Sequence, residues 1–311
     1  MKTAARRFCS LRVAGLILFL GAAVLLSCKR AKDRAPYPHE SVLSILTELK
    51  NGMRADPYRD EPGRDLEGRN IHRVTLERLD NLNDLLSKSK PGEYDDILAF
   101  ARAECLERLG DWSGAAASFA KCAAAGTTLA GEANGRKEWS GKISEAVGLT
   151  TGTLTLEGHL NTLDLRRLNL RRLLDAAPPF PYASFLSANL EETLRRKALF
   201  LFSNRYVLPG GAQDAVKAAQ TLLEENKPSF RRGENLLLLG EFLETLARDY
   251  ERLNDPSQSK FDLESWSRWV DGARGAYREA AQADGDPAKP EAQSRLRALD
   301  AYAQRISERA R

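Results

Sequence analysis

The residues whose types could do chemistry are few and scattered. The three histidines, His39, His72 and His159, lie far apart. None sits in an H-x-x-x-H or H-E-x-x-H context, the spacing that puts two imidazoles on one helix face for zinc. Each reads as a surface or capping residue. There is no G-x-S-x-G elbow, no P-loop and no G-x-G-x-x-G behind a strand. The acidic pairs Asp95-Asp96 and Glu191-Glu192 are adjacent in sequence, and adjacent residues do not face each other on a helix. They suit a first helical turn, beside the positive end of the dipole, better than paired acid–base work. A glycan-cleaving pair would have to come from distant positions, with two carboxylates within about 10 Å across a cleft. "LPGGAQD", residues 208–214, has the glycines of an anion loop at a helix N-terminus. A turn ahead of the helix explains it as well and is preferred. No catalytic residue, metal or cofactor is expected.

Of the four cysteines, Cys105 and Cys122 belong to the body of the chain. They have no C-x-x-C spacing. Two small buried side chains are the favoured reading, with a disulfide as the rival. Trp139, Trp266 and Trp269 need another account. Trp266 and Trp269 are three apart, hence on one helix face. Core packing is one reading; the other is an exposed aromatic anchor for a partner, since Trp is enriched in binding hot spots. "PPFPY", Pro178 to Tyr182, is rigid and apolar, either a linker between two subdomains or a contact point.

These residues must be positioned by elements, and the N-terminus is set aside first. Residues 1–12 carry Lys2, Arg6, Arg7 and Arg12 and no acid, and the apolar run Val13–Leu26 is 14 residues long. A membrane span needs about 20. "LLSC", Leu25 to Cys28, resembles the lipobox of bacterial lipoproteins, although Leu26 stands where a small residue is commonest. The resemblance implies cleavage after Ser27 and lipidation of Cys28, with acyl chains on sulfur and nitrogen. More than one chain is what stable anchoring requires. The rival is an uncleaved anchor helix. Lys29, in place of aspartate, implies the outer rather than the inner membrane, with the chain on the periplasmic face of the cell envelope. The whole chain has 47 Lys+Arg and 43 Asp+Glu. Without residues 1–27, and their four bases, the balance is 43 against 43. That neutrality argues against nucleic acid as a partner.

The remainder reads as helices. Leu, Ala, Arg and Glu dominate, and no long alternating run appears. The one strand-like patch, Thr150–Gly158, is taken as a loop. Residues 28–40 form a polar tether. Helical faces follow at Val42, Ile45, Leu46 and Leu49, then at Ile71, Thr75, Leu79, Leu82 and Leu86, then at Ile97, Leu98, Ala101, Cys105 and Leu109. Long helical runs are expected over 160–176 and 182–207, split by the prolines.

"LGDWSGAAASFAKC", residues 109–122, then stands out. Gly110, Asp111, Trp112, Ala115, Phe119 and Cys122, with Ala103 and Leu106 ahead of them, resemble the tetratricopeptide repeat, a helix–turn–helix unit of about 34 residues. Ala103, Ala115 and Cys122 are small where two antiparallel helices approach closely. Leu106 and Phe119 fill the rest. The departures are Ala99 where a large aromatic is usual, Arg102 where leucine is usual, and Thr127 in place of the closing proline. Weaker copies fit Ala273, Tyr277 and Ala280; Ala215, Ala219 and Leu222; Leu79, Asn83 and Leu86; and a first helix with Leu239, Gly240 and Leu243. An irregular helical bundle is the alternative.

The expected architecture is therefore all-α, a helix–turn–helix solenoid with a signal peptide at 1–27, a lipidated tether at 28–40 and helical regions at 41–177 and 178–311. The resemblance implies a binding scaffold for a protein partner, with Arg102 on the face that meets it and Trp266 and Trp269 as further candidate contacts. An accessory role in solute uptake and a cell-envelope enzyme are the rivals.

Overall fold

The computed structural model describes residues 64–89, 91–149, 155–179, 181–283 and 285–310, with Ser44, Ile45, Thr47, Glu48 and Asn51. The lipobox, Cys28, the tether with His39, and Thr150 to Leu154 lie outside the described residues. Among the described residues ten helices can be followed end to end: α1 (Ile71–Ser89), α2 (Asp95–Arg108), α3 (Trp112–Ala124), α4 (Ala130–Val147), α5 (Leu156–Asp175), α6 (Tyr182–Ser203), α7 (Gly211–Glu225), α8 (Arg232–Leu253), α9 (Leu263–Gln282) and α10 (Lys289–Arg309). The described residues contain no strand, so the fold is all-helical. Each helix packs on its neighbour in sequence, α4 on α5 only lightly.

Local chemistry sets the turns. Between α2 and α3, Gly110 adopts φ +78°, the left-handed region in which a side chain is strained. The Gly110 amide donates to the Glu107 carbonyl and the Asp111 amide to the Leu106 carbonyl, the paired bonds that close a helix C-terminus. Asp111 then caps α3, accepting from the Gly114 amide at 2.9 Å. Two residues thus end one helix and begin the next.

Packing follows a shared register. In every second helix a small residue is buried: Ala103 (α2), Ser140 (α4), Ala198 (α6), Gly240 (α8) and Ala303 (α10). Three residues on, Leu106, Ile143, Leu201, Leu243 and Ile306 are buried. The intervening helices answer. Ala115, Phe119 and Cys122 of α3, Ala215, Ala219 and Leu222 of α7, and Ala273, Tyr277 and Ala280 of α9 are all at 0% exposure. Small residues let the rods close up. A Cβ on Gly240 would lie 2.3 Å from the Tyr277 ring, well inside van der Waals contact. Ala103, Leu106, Ala115, Phe119, Cys122 and Ala133 form one buried cluster. The largest cluster runs from Trp112 through Leu170 to Ile306, across Pro178.

Several expectations change. Glu191 and Glu192 lie in the middle of α6, not in a first turn, because the helix already starts at Tyr182. Leu156 to Gly158 belong to α5 rather than to a loop, with Thr155 accepting from the Gly158 amide. His72 is buried rather than at the surface. His159 keeps part of its surface and lies tilted against Phe200, ring centroids 4.2 Å apart.

Candidate functional site

Two polar assemblies stand out. The first is a buried joint that brings α2, α4 and α6 together. Glu107 is 2% exposed. Its Oε1 accepts from the Ser140 hydroxyl and the Tyr182 hydroxyl, each at 2.6 Å. Its Oε2 takes the Arg136 guanidinium at 2.5 Å. Arg136 also pairs with Glu104 and lies over the Phe119 ring at 4.9 Å. Burial disfavours the charge on Arg136, but Glu107 and Glu104 outweigh it and raise its pKa. Burial lifts the Glu104 carboxyl above its ordinary range even beside that arginine. The Tyr182 phenol is pushed up by burial and then by the Glu107 charge. Trp139 stacks on Tyr182 at 6.0 Å, and Trp112 packs against Phe185 at 4.3 Å.

Glu107, buried, and Glu104, partly buried, are two carboxylates on one helix, the acids that catalysis would want. Here one guanidinium sits between them, on Oε2 of Glu107, and two hydroxyls fill the lone pairs of its Oε1. Buried charges of this kind persist only when paired and hydrogen-bonded. The arrangement holds helices together and leaves no opening at Glu107. The same device recurs. Buried Glu191 accepts from Ser229 and Asn235, and buried Glu244 accepts from the Tyr277 hydroxyl at 2.9 Å. Sequence reasoning reads none of the three as buried: it assigns Glu191 to a first turn, and Glu107 and Glu244 carry no pattern that sets them apart from solvent-facing glutamates.

The second assembly is a groove of about 740 Å³ along α1, α2 and α3. Leu79, Asp80, Asn83 and Ser87 form the α1 wall, and Lys121, Ala124 and Ala125 the α3 wall. The α2 wall carries Asp95, Asp96, Leu98, Ala99 and Arg102. Arg102 pairs with Asp80 across the groove. Both side chains are over 40% exposed, so the pair contributes about 0–1 kcal/mol and is free to rearrange. Among the described residues Asp95, Asp96 and Lys121 have no ion pair.

The other expected site residues fall in the core. Trp266 is 1% exposed, edge-on to Tyr302 with centroids 5.9 Å apart. It therefore has no surface to offer a partner, a correction to its reading as an exposed anchor: its face of α9 is the one that meets the core. Trp269 is partly buried against the same core. Cys105 and Cys122 are free, buried thiols in separate clusters. Burial pushes the Cys105 thiol up to about 12, which leaves it protonated and inert. No group of three or more His, Cys, Asp or Glu suited to a metal occurs among the described residues. Nor is any described helix long and apolar enough to cross a membrane.

No protein-family model, curated protein or solved structure matches this chain.

Proposed function

We propose that this chain is a lipid-anchored scaffold of the bacterial cell envelope, a tetratricopeptide-like array that holds a protein partner on its helices. One observation carries the reading. Two of the departures from the repeat pattern, Ala99 and Arg102, both lie on the wall of the 740 Å³ groove. Elsewhere the register serves packing; here it is relaxed and leaves a lined hollow. The buried carboxylates favour the same reading, because their lone pairs are spent on holding helices together.

The lipid anchor rests on the lipobox resemblance at Cys28. The test is a capture from detergent extract of the producing cell, with full-length chain as bait. A partner retained by the native chain and lost with Asn83→Arg plus Arg102→Glu supports the scaffold reading. Retention unchanged by both substitutions, or no specific retention, contradicts it. Cys28→Ser should release the chain from the membrane fraction.

A further inference from the structure

The groove has a size and a charge that describe what enters it. In the shared register, the residue four before the small one is bulky in four helices: Arg136 in α4, Leu194 in α6, Leu236 in α8 and Leu299 in α10. Leu194, Leu236 and Leu299 are buried at 2%, 4% and 0% exposure, and Arg136 fills its place by lying over Phe100 and Phe119. In α2 that position is Ala99, only partly buried. The chain supplies its own knob at four such places and omits it at the fifth, where the groove lies. Leu79 and Leu98 give the hollow an apolar floor.

The rim adds charge. Among the described residues, Asp80, Asp95, Asp96, Arg102 and Lys121 are the ionisable side chains that line the groove. Arg102 is taken up by Asp80. Among the described lining residues Asp95 and Asp96 face the one cation of Lys121, a local balance that favours an incoming positive charge.

Resting on the scaffold reading above, we infer that the groove docks a segment of another protein that inserts one aromatic or branched aliphatic side chain at Ala99 and places a lysine or arginine beside Asp95 and Asp96. The inserted side chain replaces the missing knob. The cation answers these aspartates, and specificity comes from the pair of features together.

The test is selection of a random twelve-residue peptide library on the full chain in detergent micelles, followed by affinity measurement on the enriched peptides. Enriched sequences should carry an aromatic or branched aliphatic residue close to Lys or Arg. Ala99→Phe fills the hollow from within, so it should weaken these peptides at least tenfold while the thermal midpoint stays level or rises. Asp95→Asn with Asp96→Asn, both polar and at the surface, should weaken them several-fold and remove their salt dependence. If Ala99→Phe lowers the thermal midpoint, the aspartate pair decides alone. Peptides without a cation, or unaffected by the aspartate changes, overturn the charge rule. Peptides indifferent to a well-folded Ala99→Phe overturn the docking site, and so does an absence of enrichment. A partner still captured from extract by the Ala99→Phe chain separates this failure from failure of the scaffold reading, which would then stand with its surface elsewhere.

Discussion

Single residues decide this molecule where charge is buried. Arg136 links Glu104 to Glu107, and its removal would strand Glu107 at 2% exposure. Breaking a buried pair from one side costs about 3–5 kcal/mol, so Arg136→Ala should lower stability by that order in urea unfolding. Tyr182→Phe keeps the ring and removes one donor to Glu107, an expected loss of about 1–3 kcal/mol. The tyrosines also set a pH limit. Burial first, then Glu107 and Glu244, raise the pKa of Tyr182 and Tyr277 above the ordinary 10.0. In the unfolded chain both ionise near that value, while in the folded chain they stay protonated. Their stabilisation is thus complete below pH 10 and is lost as pH rises toward the folded values. Urea midpoints at pH 9 and 11 should show a steep fall, and the double variant Tyr182→Phe, Tyr277→Phe a shallower one. None of this was legible in the sequence. A glutamate and an arginine 29 residues apart show no periodicity, and their pairing exists only after three helices have met.

At the scale of elements, legibility was much better. The runs expected over 160–176 and 182–207 became α5 and α6 with ends shifted by a few residues. The turn at Gly110-Asp111 formed where its residue types demanded. Leu and Ala at three-to-four spacing survive any neighbour, because one apolar face must be buried. Gly110→Ala forces a side chain into the left-handed region and should cost about 1–2 kcal/mol. Gly240→Ala sets two effects against each other. Alanine favours a helix interior by about 1 kcal/mol over glycine, while overpacking costs about 1–3 kcal/mol. The Tyr277 ring is fully buried and its hydroxyl is held by Glu244, so it has little room to retreat. The variant should melt lower than the native chain in a calorimetric scan; a higher midpoint would mean that the two helices are not in close contact there.

Across the whole molecule, the order of the helix pairs was harder to see. Ala103 to Ser140 is 37 residues, Ser140 to Ala198 is 58, Ala198 to Gly240 is 42 and Gly240 to Ala303 is 63. These spacings are unequal, with turns as long as 254–262 between helices, so no fixed period along the chain links the helix pairs. The small residues themselves vary from Gly to Ser, and the bulky position holds an arginine in α4. The buried small residue followed three places on by a buried Leu or Ile is visible only once the helices have packed. The same comparison isolates Ala99 as the place where the register is broken, beside the groove and beside Arg102. The central claim, that this groove is where a partner sits, is tested most directly by a photo-crosslinking amino acid placed at Asn83 on the groove wall, in cells producing the full chain. A control position is Gln293, exposed on α10. The account predicts one discrete adduct band from Asn83 on irradiation and none from Gln293. No adduct at Asn83, or the same adducts from both positions, would contradict it.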